Sequence, residues 1–347
     1  MTVADTLRQR IVAGGPIPFE VFMDIALYGQ GGFFASGPLR SSATGDFLTS
    51  PEVSPWFGKT IGRFLATRIS ADGNIVEVGG GSGSLLTPLL AELPDTVTVW
   101  AVEASPMARD RLTGILSADH VVSALTDLPT GLSGAIIANE LIDNLPVALA
   151  VRAGDGWVEH SVGLEDDVFA FVETPVRAEV AAWADVHGGV VPEGGIVEVQ
   201  LAAAAWLRQA IELVSGVVVL IDYGGTTEEL EPRRQLGTLR TYRGHHLGPD
   251  PLLEPGETDI TVDVNFSALA AVAEAAGAKV SLHRQDDFLA EWGLRQAVSD
   301  MRQLELEHAR SGDTMAQLAT KSERVDAQTL LHPRGLGDFR VLAIETG

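Results

Sequence analysis

Residues 74–85 read Asn74-Ile75-Val76-Glu77-Val78-Gly79-Gly80-Gly81-Ser82-Gly83-Ser84-Leu85, followed by Leu86-Thr87-Pro88-Leu89-Leu90-Ala91-Glu92-Leu93. A short buried-type strand, Ile75–Val78, runs into a glycine loop and then into a helix, which is the context a ligand-cradling loop requires. A backbone without side chains lets a bulky group come close, and the N–H groups opening the next helix lack partners. Outward from this stretch, Val97–Val102 reads as a second strand, followed by a helix opened by Ser105-Pro106, a capping residue and then proline. His120–Val122 and Ala135–Ala138 read as further strands, and Val217–Asp222 as another. Strand–helix alternation of this kind specifies a parallel, doubly wound sheet: an α/β, Rossmann-like core.

The composition narrows the function. Among 347 residues, 24 basic face 47 acidic side chains, a net charge of −23. Nucleic-acid binders draw affinity from Lys and Arg on phosphates, so no nucleic-acid partner is expected. Docking on an anionic membrane is disfavoured for the same reason. The chain has no cysteine, which excludes disulfides, thiolate–metal sites and thiol catalysis. No apolar run approaches the ~20 residues of a membrane helix, so no membrane insertion is expected. The opening MTVADTLRQR reads as a helix start, and a cytoplasmic enzyme is the expectation.

Three regions are expected. Residues 1–72 form an N-terminal helical cap and an active-site loop; Phe19, Phe22, Met23 and Ala26 recur at helical spacing. Gly29–Asp46 is a long Gly- and Ser-rich loop, and a helix follows from about Val53 to Ile69. Residues 73–145 and 214–347 form the core. Residues 146–213 read as an inserted small α+β subdomain, with a hairpin at the Gly154-Asp155-Gly156 turn and helices near 176–187 and 201–213.

The glycine loop fits two cofactor patterns. Dinucleotide sites use G-x-G-x-x-G/A, for which Gly79 and Gly81 would be followed by Ser84. S-adenosylmethionine sites use acid-x-G-x-G-x-G, which Glu77, Gly79, Gly81 and Gly83 satisfy in full. Glu77 can orient a methionine amino group. Glu103, at the end of the next strand, can accept both hydroxyls of a ribose. Asp127 and Leu128, after the third strand, are candidates for holding the adenine.

After the fourth strand comes Asn139-Glu140-Leu141-Ile142-Asp143-Asn144-Leu145-Pro146, at the sheet edge where open α/β folds bind ligands. Base and amide methylation commonly uses Asn/Asp-Pro-Pro-aromatic there, and Asn-Glu-Leu-Ile departs from it. A guanidinium, charged at all relevant pH, is gripped best by carboxylates through paired hydrogen bonds. Glu140 and Asp143, one helical turn apart, are the expected pair, with alignment supplying most of the rate. His245 and His246 are further candidates for substrate contact. No two histidines stand at metal spacing with partner acids, so no metal is expected.

Taken together, these segments resemble the MidA-type methyltransferases, bacterial relatives of the mitochondrial complex I assembly arginine methyltransferase. The resemblance is carried by Phe22-Met23 with Tyr28-Gly29, by Gly45-Asp46-Phe47-Leu48-Thr49-Ser50-Pro51-Glu52-Val53-Ser54, by Glu77–Leu85, and by Asn139-Glu140 with Asp143 and Pro146. It continues through Ile221-Asp222-Tyr223-Gly224, Tyr242-Arg243-Gly244-His245, Pro255–Thr261 and Leu331-His332-Pro333. It implies a seven-stranded core, S-adenosylmethionine as donor, and in the mitochondrial relatives dimethylation of an arginine on a respiratory complex I subunit. It also implies that Asp46, Asn139, Glu140 and Asp143 line the active site. The chain departs from the family at Gly80, at Ser82, in the 29–40 loop, and at Gln200 within Glu198-Val199-Gln200-Leu201. The expected function is methylation of an arginine on a partner protein; the alternatives are a small-metabolite acceptor and a cofactor-binding assembly factor with little turnover.

Overall fold

The structure, a computed structural model, describes residues 1–35, 49–243 and 246–347. In chain order the elements begin α1 (Val3–Gly14), β1 (Ile17–Pro18), α2 (Phe19–Tyr28), α3 (Ser50–Val53) and α4 (Trp56–Ala66). Next are β2 (Asn74–Val78), α5 (Leu86–Leu90), β3 (Thr98–Val102), α6 (Pro106–Leu112), β4 (Val121–Val122) and β5 (Leu132–Asn139). The insertion brings β6 (Ala148–Ala153), β7 (Gly156–Glu165), β8 (Val168–Pro175), α7 (Ala178–His187) and β9 (Ile196–Val199). Then follow α8 (Leu201–Leu213), β10 (Val214–Asp222), β11 (Gly224–Gly225), α9 (Thr227–Leu230), β12 (Arg240–Arg243), β13 (His246–Leu247), β14 (Asp259–Thr261) and β15 (Val264–Asn265). The chain ends with α10 (Phe266–Ala275), β16 (Lys279–Arg284), α11 (Gln285–Glu291), α12 (Leu294–Ser311), α13 (Thr314–Thr329) and β17 (Arg340–Thr346).

The central sheet has seven strands in the order β16-β17-β10-β5-β2-β3-β4. Strands β4, β3, β2, β5 and β10 are parallel, and β17 runs antiparallel between β10 and β16. The chain leaves β2 towards β3 and β4, then returns to β5 on β2's other side. That reversal is the switch point where open α/β sheets bind ligands.

Alternation along the central strands builds two apolar layers. Ala135, Ile137, Val217, Val219 and Ile221 pack with α4, α5 and the α11–α13 helices. Ile136, Ala138, Val218 and Leu220 pack against Ala203, Leu207 and Ala210 of α8 and Phe266 and Leu269 of α10. Each fully buried aliphatic side chain contributes about 1.5–3 kcal/mol. Helix α8, expected within the insertion, thus packs on the central sheet.

The cap and the insertion are also joined. Strand β1 pairs with β7 (Ile17 opposite Val162), giving a sheet in the order β1-β7-β6-β9 with β8 on β7. Phe19, Phe22, Met23 and Ala26 of α2 are buried with Leu149 and Val162 in one cluster. The helix expected over 53–69 is split. Ser54 is extended and Pro55 precedes α4, because a residue before proline is driven out of the helical region. No helix among the described residues is long and apolar enough to cross a membrane.

Three central strands cross closely at Gly134, which lies opposite both Asn74 and Gly216. Its φ is +148°, and a Cβ there would stand 1.9 Å from the Asn74 carbonyl oxygen. Gly134→Ala is expected to cost about 3 kcal/mol or more, read as a lower urea midpoint. An unchanged midpoint would contradict this packing.

Candidate active site

A cavity of about 390 Å³ opens at the switch point, lined by Glu77, Gly79–Ser82, Glu103, Ser123–Thr126 and Asn139–Leu141 together with Tyr28, Phe34, Thr49, Pro51 and Trp206. No Lys, Arg or His is among the described residues that line it.

The glycine loop is fastened to the next strand. The Gly79 N–H donates to the Val102 carbonyl (2.8 Å) and the Gly81 N–H to Glu103 Oε2 (3.0 Å). Gly79, Gly81 and Gly83 all have positive φ, a conformation that L side chains rarely adopt. Gly79 and Gly81 line the cavity, whereas Gly83 faces the protein, where a Cβ would meet Ile115 at 2.4 Å. Its expected part in cofactor binding is therefore one of packing behind the loop.

Glu77 lies on the cavity wall with 4% exposure, and its Oε2 has no hydrogen-bond partner. Burial, helped by the nearby Glu103 charge, pushes its carboxyl up to about 8. A buried carboxylate with a spare oxygen calls for a cationic partner. Glu103 accepts from Gly81 and, through Oε1, from the Ser105 N–H at 2.8 Å. Each of its oxygens keeps a second lone pair for a ribose hydroxyl.

Asp127 and Leu128 are displaced from the expected adenine contact. The exposed Asp127 carboxylate accepts from Ser123 Oγ (2.8 Å) and the Ala124 N–H (3.0 Å), closing the turn before it. Leu128 is buried in the sheet's apolar layer. The wall itself is made by Ser123–Thr126, two to four residues earlier, because the short β4 ends at Val122.

The segment after β5 differs most from expectation. The Glu140 N–H donates to the Ile221 carbonyl at 2.8 Å, extending the β5–β10 ladder. Glu140 then takes a φ of +51° and the chain turns into a 3₁₀ turn, Ile142–Asn144. That break separates the two carboxylates expected on one helical face. Glu140 lines the cavity; its Oε1 accepts from Asn139 Nδ2 (3.2 Å) and the Ser50 N–H (3.3 Å). Burial, with the Asp143 charge adding to it, pushes its carboxyl up to about 8 against the lowering effect of those two bonds. Asp143 is not part of the lining. Its Oδ2 accepts from the Thr261 hydroxyl at 2.7 Å and from Tyr223 Oη. Asn139 reaches the cavity, and Asp46 and His245 lie outside the described residues. His246 is exposed and absent from the lining.

Several contributors escaped the sequence reading. Tyr28 stacks on Phe34 (centroids 5.6 Å apart) and donates to the Asn144 carbonyl at 3.2 Å. Trp206 and Gln209 enter from α8, which had been assigned to the insertion. The departure at Gln200 does not touch the cavity: its amide donates to the Asp263 carbonyl (3.0 Å) and accepts from the Asn265 N–H (2.9 Å). The neighbouring Glu198 pairs with the buried Arg234 at 2.9 Å.

Residues 60–283 match a family described as S-adenosyl-L-methionine-dependent methyltransferases, and the chain belongs to that family. It is similar to the mouse "Protein arginine methyltransferase NDUFAF7, mitochondrial", with 27% identity across 83% of this chain and 73% of the relative. The Drosophila melanogaster homologue is also 27% identical, across 80% and 71%. A crystal structure from Burkholderia thailandensis bound to S-adenosyl-homocysteine superposes with a TM-score of 0.85 at 29% identity, covering 99% of this chain and 91% of that one. A second from that organism gives 0.82 at 30%, with the same coverage.

S-adenosylmethionine is the cofactor, and the residues fit it: Glu77, with an orphaned oxygen, would hold the ammonium, and Glu103 would accept from the ribose hydroxyls. Glu77 and Glu140 also link stability to pH. A carboxyl whose pKa is higher folded than unfolded favours folding below the unfolded value and loses that contribution as pH rises to the folded one. The cofactor-free protein should therefore lose stability between about pH 4.5 and 8 on their account. Glu77→Gln should raise its melting temperature at pH 9 by about 2–4 °C and leave it nearly unchanged at pH 5. Equal effects at both pH values would show that Glu77 is not held protonated by burial.

Proposed function

We propose that this methyltransferase acts on the guanidinium of an arginine presented by a partner protein. The observation that carries the reading is Glu140: a half-buried carboxylate at the sheet edge, in the same cavity as the glycine loop, with Oε1 held by Asn139 and Ser50 and Oε2 left to face a cation. The curated relatives named as protein arginine methyltransferases support it, as does the absence of any basic group among the described lining residues. The arrangement departs from a two-carboxylate grip, since Asp143 does not line the cavity, its Oδ2 is taken by Tyr223 and Thr261, and it reaches Glu140 through its charge.

When bound, S-adenosylmethionine supplies an electrophilic methyl group. Glu140 would orient one guanidinium nitrogen towards it and accept the proton that the nitrogen gives up as the N–C bond forms and the methyl C–S bond breaks, the neutral thioether S-adenosylhomocysteine leaving. The neighbouring Asn139 and Ser50 donors keep that carboxylate from swinging. Tyr28 and Phe34 supply an aromatic wall, against which a planar guanidinium can stack. The net charge of −23 would steer a basic target segment to the cavity mouth.

Radiolabelled S-adenosylmethionine incubated with a lysate from cells lacking this chain should label a protein band that releases methylarginine on hydrolysis. Label confined to small molecules would move the chain to metabolite chemistry. Glu140→Gln should lower protein labelling about 100-fold; a near-normal rate would remove Glu140 from the mechanism. At saturating cofactor, kcat/KM for the acceptor should rise as pH is raised from 6 to 9, because only the ionised Glu140 grips a cation. Glu140→Gln should flatten that rise.

A further inference from the structure

Helix α3 has only four residues, too few to hold its own orientation, yet it is bonded to two parts of the site and to a buried anchor beyond it. Ser50, fully buried, gives its N–H to Glu140 Oε1 (3.3 Å), and its hydroxyl accepts from Gln285 Nε2 at 3.1 Å. Gln285 is itself fully buried and also donates to the Leu336 carbonyl at 2.9 Å. Glu52 faces the other way. Its Oε2 accepts from the Thr49 N–H (3.4 Å), closing the start of α3, and its Oε1 accepts from Ser82 Oγ (3.2 Å) in the glycine loop. Glu52 and Ser50 are thus two residues apart on one turn, one fastened to the loop that carries the cofactor and the other to the carboxylate facing the acceptor.

We propose that Glu52 is a positioning residue for methyl transfer: through Ser82 it fixes α3 against the glycine loop, and through the Ser50 N–H it fixes where the Glu140 carboxylate stands relative to the cofactor. The inference rests on the reading of Glu140 as the acceptor-orienting group. Its physical basis is the geometry of the reaction. Nucleophile, methyl and leaving sulfur must lie in line, and a misplacement of about 1 Å costs on the order of 100-fold in rate. Donor and acceptor are held by different segments, the β2–α5 loop and the β5 turn. A rigid link between those segments removes their relative freedom. Glu52, Ser50 and the turn that joins them form such a link, with Gln285 anchoring it from the C-terminal half of the chain.

A residue that acts through Glu140 loses its effect once Glu140 is out of place. The test is a double-mutant cycle of Glu52→Ala with Glu140→Asp, which keeps a carboxylate but draws it back by one methylene. The readouts are label transfer into the protein fraction of a lysate lacking this chain, the dissociation constant of S-adenosylhomocysteine, and the melting temperature. Glu52→Ala in the native background should lower kcat about tenfold while leaving S-adenosylhomocysteine binding within about threefold. In the Glu140→Asp background the same change should lower the rate less than about twofold. Ser82→Ala should resemble Glu52→Ala, and Ser82→Thr, which keeps the hydroxyl, should recover most of the rate. An equal loss in both backgrounds, or a loss accounted for by weaker S-adenosylhomocysteine binding, would overturn the proposal and leave Glu140's role intact. A Glu140→Asp variant as fast as the native protein would also overturn it, because the carboxylate's placement would then not matter. Failure of the underlying reading is seen separately, as a native rate in Glu140→Gln.

Discussion

The mouth of the central sheet depends on one carboxylate that never meets water. Asp222, at the end of β10, accepts the Ile142 and Asp143 N–H groups on Oδ2 (3.0 and 3.2 Å) and the Tyr223 N–H on Oδ1 (2.9 Å). The first two are donors that the β5 turn leaves without ladder partners after Glu140 takes its positive φ, and the third belongs to the residue that follows β10. Buried backbone donors must be paired, and Asp222 pairs three of them at one point. Its burial, with Asp143 and Glu140 close by, holds its carboxyl well above the usual range. The three N–H groups on its oxygens support the turn while three acids share a small volume.

That crowding explains the electrostatic character of the site. Glu77, Glu103 and Glu140 line one cavity, while Asp143 and Asp222 lie just behind Glu140. Without a cation such a cluster favours protons: burial first, and the neighbouring carboxylates second, raise Glu77 and Glu140 to about 8. A cofactor carrying an ammonium and a sulfonium, and an acceptor carrying a guanidinium, would each replace a proton with a better-placed positive charge. The bound complex is then less repulsive than the empty protein, and ligand binding relieves a tension built into the fold.

Most of the architecture was legible because it follows from local rules. Strand–loop–helix order at 74–93, the Ser105-Pro106 helix start and the alternation at 132–139 and 214–222 each depend on near neighbours in sequence. The site was legible where a residue's position along a strand determines its place: Glu77 on β2, Glu103 just past β3, Asn139 at the end of β5. It was not legible where a turn decides. Asp143 was expected beside Glu140 because four residues of helix were assumed, but the left-handed Glu140 redirects the chain. Asp127 was placed on the adenine because the end of β4 could not be fixed within a few residues. Local spacing assigns no site role to Tyr28, Trp206 or Asp222; tertiary packing brings the first two to the cavity and Asp222 to the turn behind it.

The pairing of β1 with β7 has a consequence for the order in which the protein can be made. The apolar face of α2, with Phe19, Phe22 and Met23, is covered by residues 147–162 and then by Leu252, Ile260 and Val262. On a ribosome adding about 5–20 residues per second, that face emerges roughly ten to fifty seconds before its last cover does. A segment synthesised well before its cover is therefore among the last to be buried. During that interval a stretch rich in phenylalanine stands open to chaperones, or to the same stretch on a neighbouring nascent chain.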